Sequence, residues 1–249
     1  MTTSPLISVI TVVYNGDEHL QQTIDSVANQ TYSNIEYIIV DGGSTDKTLD
    51  IIKANNARIS NWISEPDQGL YDAMNKGAAL ANGELVGTIN SDDWYEANAV
   101  ELIVKAYLEN PDKKVFHADK RCIESNGQSH VKKAKTSPFL LKYHAMIYNH
   151  PTMFIHRDIY KSLSYNTQLS SLSDYELTLR VYLSQPEVFY YLPVVISNFR
   201  LGGISGKISF WTSINENYRA RRNAGMSFIG AAFAYCFRVG FSVYKLIIR

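Results

Sequence analysis

The sequence has few cysteines and no surplus of charge of either sign. Only Cys122 and Cys236 occur among 249 residues, and no CxxC pair is present. Two distant cysteines do not make a disulfide framework, and they favour a reducing compartment. Lys plus Arg number 24 and Asp plus Glu number 24, so the net charge is zero. No global field therefore argues for a nucleic-acid partner.

Two common nucleotide-binding motifs are also missing. Neither GxGxxG nor GxxxxGK[ST] follows the first apolar run, where the chain reads YNGDEHL. The opening segment MTTSPLISVITVVYN lacks a basic region followed by an apolar core and a small-residue cleavage site, which argues against a signal peptide. We therefore expect a cytoplasmic protein. Any nucleotide has to be held by carboxylates, backbone groups and a divalent cation.

Strand patterns and helix patterns alternate from residue 6 to about residue 110. The β-branched runs ISVITVV and IEYIIVD, the short NWISEP and residues 84–90 predict strands. Between them, apolar residues spaced three and four apart predict helices, with Ser44 and Asp93 as N-caps. This order predicts an α/β fold with parallel strands, in which ligands lie at the carboxyl ends of the strands.

Three of these strands end in polar side chains. The first runs into Tyr14 and Asn15, the second ends at Asp41, and the strand over 84–90 runs into NSDD. Adjacent carboxylates repel each other unless water, donors or a cation surround them. Mg²⁺ and Mn²⁺ often bind one or two carboxylates together with substrate phosphates. The pattern favours a sugar diphosphate ligand, while a plain helix start at Asp92-Asp93 and a plain turn at Asp41 are the structural alternatives.

The second half of the chain is less regular. KKVFHAD, HPTMFIH and EVFYYLPVVISNF predict strands, SDYELTLRVYLS predicts a helix, and residues 124–135 predict a polar loop or hairpin. Residues 226–249 are apolar on almost all sides, and this segment is long enough for a membrane span of ~20 residues. Arg238 lies in its middle, and the basic YRARRNAG precedes it. We rank an in-plane membrane helix first, a helix packed on the domain or a dimer partner second, and a true span third.

Six segments resemble the motifs of the family 2 glycosyltransferases, in the same order and spacing. They are ISVITVVYN, VDGGSTDKT, EPDQGLYDAMNKGAALANGE, INSDDWY, SDYELTLR and FRLGGIS. The resemblance covers residues 6 to about 206 and is strongest to a bacterial subgroup that builds exopolysaccharide, capsule and O-antigen. It implies a GT-A (nucleotide-diphospho-sugar transferase) fold over 1–206, with a mostly parallel central sheet flanked by helices. A nucleotide-sugar half (1–110) and an acceptor half (111–206) would precede a C-terminal helical extension (207–249).

The resemblance also implies roles for single residues. Asp174 would be the catalytic base of an inverting transfer, and Asp92 with Asn90 would bind Mn²⁺ or Mg²⁺. A loop containing Gly202 and Gly203 would close over the diphosphate, and His150 would lie on the acceptor side or the metal side. The residues expected to bind the nucleotide-sugar are Val13, Tyr14, Asp41, Asp67, Gly69, Asn75, Asn90, Ser91 and Arg200.

Two residues depart from the family pattern. Asn90 stands at the first Asp of the Asp-x-Asp motif, and Ser173 replaces the Glu before the catalytic Asp. The expected partners are a UDP-sugar, a glycan or polyprenyl-linked acceptor, the inner face of the cell membrane and a second copy of the chain. The alternatives are a non-catalytic scaffolding or glycan-binding relative and a nucleotidyltransferase that makes NDP-sugars. The latter needs a Gly-rich loop with Lys or Arg after the first strand, and YNGDEHL is not such a loop.

Overall fold

The computed structural model describes residues 4–202 and 210–247, with Phe210 and residues 242–247 described as backbone only. These residues form a mixed sheet flanked by helices. The strands are β1 (Ile7–Val13), β2 (Ile35–Asp41), β3 (Asn61–Ser64), β4 (Leu85–Asn90), β5 (Trp94–Tyr95), β6 (Val115–Ile123), β7 (Ser129–Lys132), β8 (Phe154–His156) and β9 (Phe189–Arg200). The helices are α1 (Leu20–Ala28), α2 (Thr48–Ala54), α3 (Leu70–Leu80), α4 (Ala99–Glu109), α5 (Pro138–Tyr143), α6 (Arg157–Ser162), α7 (Ser173–Ser184), α8 (Phe210–Asn223) and α9 (Phe228–Ile247).

The sheet has the order β3-β2-β1-β4-β8-β6-β9-β5, and β7 pairs with β6. The first four strands are parallel, as predicted. Strand β8 then runs antiparallel to both β4 and β6, whereas β6 and β9 are parallel, so the sheet is mostly parallel with antiparallel strands in its second half. The register pairs Val13 with Asp41 and Val12 with Asn90. The polar ends of β1, β2 and β4 are therefore level with one another, which confirms the expected α/β class.

Both faces of the parallel strands are covered. All seven residues of β1 are buried. Alternate β1 side chains point to opposite faces, so Val9 packs with Ile24 and Ile103 from α1 and α4, whereas Ile10 packs with Met74 of α3. A Cβ at Gly77 would lie 2.5 Å from Ile10 Cγ2, so glycine permits α3 to lie close to the sheet. This covering explains why the β1 and β4 sequences are continuous apolar runs.

Two predicted helix caps are wrong, because long-range contacts occupy both side chains. Helix α2 begins at Thr48, while Ser44 donates to Asp41 and accepts the backbone N–H of Asn15 at 2.8 Å. Helix α4 begins at Ala99, and the fully buried Asp93 precedes β5 instead. HPTMFIH is only partly a strand: residues 150–152 form a 3₁₀ turn, where proline has no ladder donor to contribute.

The C-terminal helices α8 and α9 pack on each other and on α5 and α7. Arg221 is fully buried and donates from Nε to the carbonyl of Lys142 at 2.7 Å. Phe237 packs edge-on against Phe139, and Arg238 donates to the carbonyl of His144 at 2.9 Å. Of the three arrangements ranked from the sequence, the structure shows the packed helix. Within residues 4–202 and 210–247, no helix combines the length and apolarity needed to cross a bilayer. The predicted boundary at 206 lies outside the described residues.

Candidate functional site

A cavity of about 650 Å³ opens where β1 and β4 end. Its walls come from the loop after β1, the start of α3, the turn after β4 and the end of β9. The predicted site residues in these walls are Val13, Tyr14, Asp67, Gly69, Asn90, Ser91 and Asp92. Tyr14 is 64% exposed there, although it follows a fully buried strand. An exposed aromatic ring at the rim of a cavity is suited to stacking on a flat ligand.

Hydrogen bonds from α1 fix the backbone of the turn over residues 90–93. The Thr23 hydroxyl lies 2.9 Å from the carbonyl oxygen of Ser91 and 2.7 Å from that of Asp93. The Asp93 N–H donates to the carbonyl of Asn90 at 3.1 Å. With its backbone fixed in this way, the turn presents the side chains of Asn90, Ser91 and Asp92 to the cavity.

The donor atoms of this turn suit a hard divalent cation. Asn90 Oδ1 is buried and has no hydrogen-bond partner in residues 4–202 and 210–247, and Asp92 lines the same cavity. An unsatisfied buried oxygen beside a carboxylate fits Mg²⁺ or Mn²⁺, which prefer oxygen ligands. No cluster of three His, Cys, Asp or Glu is present in the described part of the chain. A cation here would thus take further ligands from substrate phosphates and water.

The second carboxylate of the pair, Asp93, has a structural role. Its Oδ1 accepts the backbone N–H of Arg200 at 3.0 Å, while Oδ2 is buried and has no hydrogen-bond partner among the described residues. Burial, and then the charge of Asp92, raises the pKa of Asp93 well above its ordinary range. The Arg200 guanidinium lies 4.7 Å from the centre of the Trp94 ring and donates to Gln22. Arg200 is absent from the cavity wall, so this conformation does not show the predicted diphosphate contact.

Asp41 is fully buried and organises the loop beneath the cavity. Its carboxylate accepts the hydroxyls of Ser44 and Ser64, the latter at 2.6 Å, and the N–H of Gly43 at 3.2 Å. A nucleotide sugar could contact the Asp41 carboxylate only after these donors were displaced. The predicted role of Asp41 in binding the nucleotide-sugar therefore stays a prediction. A Cβ at Gly42 would lie 2.4 Å from Asp67 Oδ2. Glycine thus permits Asp67 to reach the cavity wall.

Asn75 does not line this cavity. Its side chain connects α3 with the backbone of Tyr165. Its Nδ2 donates to the carbonyl of Tyr165 at 2.9 Å, and its Oδ1 accepts the Tyr165 N–H at 2.8 Å. Both polar atoms of the Asn75 side chain are therefore occupied by the backbone of Tyr165. A smaller cavity of about 500 Å³, lined partly by Asn75 and Arg157, lies on this side of α3.

Asp174 lies in the first turn of α7, apart from the cavity wall. Its Oδ1 accepts two hydrogen bonds, from the Tyr71 hydroxyl at 3.2 Å and from the Tyr175 N–H at 2.8 Å. The preceding Ser173 is fully buried, and its Oγ accepts the N–H of Asn166 at 2.5 Å. The small hydroxyl side chain of Ser173 is thus occupied by the backbone of the preceding loop.

His150, Tyr165 and Lys120 interact electrostatically with Asp174. His150 Nε2 lies 3.3 Å from the Tyr165 hydroxyl. Burial lowers the pKa of His150, although the charge of Asp174 raises it in part. Lys120 is 7% exposed, and its Nζ lies 3.3 Å from the centre of the Phe199 ring. Burial, and then Lys132, lowers the pKa of Lys120 to about 8.

The sequence reasoning did not single out Lys120, Phe199 or Tyr71. The sequence gives no clear signal for the lysine, since the strand VFHADKRCI also contains His117, Asp119 and Arg121. Phe199 lines the cavity near its opening, at the end of β9. Tyr71 contacts Asp174 across 103 residues of sequence, and only the folded chain shows this contact.

Comparison with known proteins agrees with this geometry. The family described as "Glycosyl transferase family 2" matches residues 8–164, more than half of the chain. A chondroitin synthase of Pasteurella multocida (strain Pm70) is 30% identical over 220 residues, which are 86% of this chain but 22% of that protein. The chain thus spans only about a fifth of that relative. A PGL/p-HBAD biosynthesis glycosyltransferase of Mycobacterium bovis (strain BCG / Pasteur 1173P2) is 28% identical over 82% of this chain and 81% of its own length.

Two solved structures share the fold. S. aureus TarS 1-349 in complex with UDP-GlcNAc superposes with a TM-score of 0.71 over 94% of this chain and 71% of that chain, at 16% identity. A Pyrobaculum calidifontis mannosyltransferase in complex with GDP-Man and Mn²⁺ gives a TM-score of 0.65 over 95% of this chain and 70% of that chain, also at 16% identity. At these identities the likeness shows the fold alone. Together with the family match, it shows that the chain belongs to the family 2 glycosyltransferases.

Proposed function

We propose that this protein transfers a hexose, with inversion, from a UDP-sugar to a hydroxyl group of a glycan or lipid-linked glycan during cell-surface polysaccharide synthesis. The observation that carries the proposal is that the turn after β4, with Asn90 to Asp92, lines one cavity together with Tyr14, which follows the parallel strand β1. In a member of this family, such an oxygen-rich edge suits the diphosphate of a nucleotide sugar.

The relatives support this class of substrate. The proteins named chondroitin synthase and hyaluronan synthase are polysaccharide synthases by name, and TarS is solved with UDP-GlcNAc. The exposed ring of Tyr14 would stack on the nucleobase, and Asp67 and Gly69 would border the ribose and the sugar. Because the mannosyltransferase binds GDP-Man, GDP-sugars are the comparison donors in any screen.

Asn90 and Asp92 would hold Mn²⁺ or Mg²⁺, which would offset the charge that develops on the leaving diphosphate. Asp174 would take the proton of the acceptor hydroxyl as that oxygen attacks the anomeric carbon. The bond from the anomeric carbon to the diphosphate oxygen breaks, and its electron pair leaves with UDP. Attack opposite the leaving group inverts the anomeric configuration.

The transfer assay with Asp174→Asn tests this assignment. Wild-type protein is incubated with a panel of UDP-hexoses and GDP-Man and with oligosaccharide or polyprenyl-linked acceptors, and the anomeric configuration of the product is read by NMR. We expect an inverted product from the wild type. We expect the variant to lose transfer by about a hundredfold or more, at unchanged UDP affinity. Retention of transfer in the variant would remove Asp174 as the base, and absence of transfer by folded wild type would favour a non-catalytic relative.

We also propose that the exposed side of α9 meets the cytoplasmic surface of the membrane. Phe228, Ile229 and Phe233 are 66%, 79% and 50% exposed, and the exposed Arg219 and Arg222 lie in the adjoining α8. Aromatic and aliphatic side chains beside arginine suit an anionic lipid surface and a lipid-linked acceptor.

Flotation with vesicles tests the membrane contact. Wild type should float with phosphatidylglycerol vesicles more than with phosphatidylcholine vesicles, and Ile229→Asp should reduce flotation. The matched control is Leu183→Asp, which changes an exposed leucine on α7. Equal flotation of wild type and Ile229→Asp would contradict the proposal. A dimer that is lost in Ile229→Asp, without flotation of wild type, would assign this side of α9 to a second copy of the chain.

A further inference from the structure

The two carboxylate oxygens of Asp174 have different surroundings. Oδ1 accepts both the Tyr71 hydroxyl, at 3.2 Å, and the Tyr175 N–H, at 2.8 Å. Oδ2 accepts no hydrogen bond from any residue that the structure describes. One oxygen thus accepts hydrogen bonds from two donors, and the other is left for a group that none of the described residues supplies.

Tyr71 is itself held firmly in place. It is 6% exposed, and its ring stacks on that of Tyr165 with 5.7 Å between the ring centres. Asn75, one turn further along α3, holds the backbone of Tyr165 through two hydrogen bonds of 2.9 and 2.8 Å. One face of α3 therefore fixes both the tyrosine and the ring against which it stacks.

The chemistry of Tyr71 agrees with a fixed donor. Burial, and then the charge of Asp174, raises the pKa of Tyr71 well above its ordinary value of 10.0. The phenol therefore keeps its proton at neutral pH and donates to the carboxylate. His150, Tyr165 and Lys120 also interact electrostatically with Asp174.

We infer that Tyr71 is a positioning residue for sugar transfer, whose hydroxyl holds Oδ1 of Asp174 so that Oδ2 receives the proton of the acceptor. This inference rests on the proposed function, in which Asp174 is the base. The acceptor O–H proton moves to Oδ2, and the oxygen's electron pair forms the new bond to the anomeric carbon. The bond to the diphosphate breaks with its pair on UDP, and Tyr71 keeps its own proton throughout.

Tyr71→Phe tests the inference while it keeps the ring and its stacking. With the donor and acceptor pair that wild type turns over fastest, we expect kcat to fall roughly tenfold, the effect of losing one hydrogen bond to a charged group. The KM for the donor and the affinity for UDP should not change. The matched control is Tyr37→Phe, which removes a buried hydroxyl that pairs with Thr11 at 3.0 Å, far in sequence from Asp174. Tyr37→Phe should lower the free energy of unfolding but leave kcat unchanged.

A double-mutant cycle separates a positioning role from a structural one. In the Asp174→Asn background, Tyr71→Phe should have no further effect on kcat, because the group through which it acts is already lost. Wild-type kcat in Tyr71→Phe, or a full tenfold loss added to that of Asp174→Asn, would overturn the inference.

A crystal structure of Tyr71→Phe distinguishes failure of this inference from failure of the proposed function. If Asp174→Asn retains transfer, or wild type has none, Asp174 is not the base. The structure then decides what Tyr71 does. A rotated Asp174 carboxylate supports positioning by the hydroxyl, and an unmoved carboxylate contradicts it.

Discussion

At the scale of single residues, the cavity depends on groups whose burial and partners fix their roles. Asp92 and Asp93 are neighbours in sequence, yet one lines the cavity and the other is fully buried under Arg200. At the same turn, the side-chain oxygen of Asn90 is buried and has no hydrogen-bond partner in the part of the chain that the structure describes. A buried polar atom without a partner is costly in a folded protein, so its retention indicates a ligand.

We expect Asn90→Asp to strengthen the metal-dependent binding of UDP on the order of tenfold, because a second carboxylate adds ligand charge. Asn90→Leu, of similar size but without the oxygen, should weaken it. Titration calorimetry of UDP with Mn²⁺ and with EDTA measures both. Equal affinity of the Asp and Leu variants in Mn²⁺ would show that residue 90 does not contact the metal site.

Gly42→Ala should weaken UDP binding several-fold with little change in the melting temperature. The added methyl group would lie 2.4 Å from Asp67 Oδ2, so the carboxylate has to leave the cavity wall. The control is Gly240→Ala, since a Cβ there meets nothing within 4 Å. Unchanged UDP affinity in Gly42→Ala would mean that Asp67 is not part of the binding surface.

At the scale of elements, the apolar runs of the sequence predict the strands because burial on both faces leaves a direct trace in composition. The β-branched run over β1 is an example, since all of its side chains are buried. The sequence predicted helix caps at Ser44 and Asp93, but neither residue caps a helix in the structure. Their side chains contact Asn15 and Arg200, which are 29 and 107 residues distant, and local sequence rules do not contain such contacts.

The same limit applies to the site. The order of the motifs was sufficient to predict that Tyr14, Asn90 and Asp92 share a cavity, because the ends of parallel strands meet at one edge. It was not sufficient to predict that Asn75 and Arg200 would have other partners. Long polar side chains reach several neighbours, and the choice among them depends on packing.

We expect Thr23→Val to destabilise the turn between β4 and β5. The substitution keeps the shape of the side chain but removes the hydroxyl from the carbonyls of Ser91 and Asp93. The free energy of unfolding in urea should fall by about 1–3 kcal/mol, and binding of UDP with Mn²⁺ should weaken as well. Thr31→Val, which removes an exposed hydroxyl paired with Glu101, serves as the control. Equal effects of the two substitutions would refute a special role for Thr23.

At the scale of the whole molecule, the C-terminal helices are joined to the segment that leads into α7. Glu216 of α8 accepts the backbone N–H and the hydroxyl of both Ser170 and Ser171, at 2.6–3.1 Å. Burial raises the pKa of Glu216, but these hydrogen bonds together lower it below its ordinary value of 4.5. Through this contact, the C-terminal extension supports the segment that positions Asp174.

This contact makes stability depend on pH. The folded pKa of Glu216 is depressed, so its contribution is present above pH 4.5 and is lost as the pH falls below that value. Urea unfolding at pH 7 should show Glu216→Gln to be less stable than wild type, and the difference should shrink as the pH is lowered below 4.5. The control is Glu187→Gln, which changes an exposed carboxylate. Its difference in stability from wild type should not shrink as the pH is lowered. A constant difference across this range would contradict the assignment.

The central claim is that the oxygen-rich edge at the end of β4 binds the diphosphate of a UDP-sugar together with a divalent cation. Titration calorimetry of the full chain with UDP, in Mn²⁺ and in EDTA, tests it most directly when wild type is compared with Asp92→Asn. The account predicts binding of UDP by wild type that EDTA abolishes and that Asp92→Asn weakens at least tenfold. Binding that is unaffected by EDTA and by the substitution, or no binding of UDP by folded wild type, would contradict it.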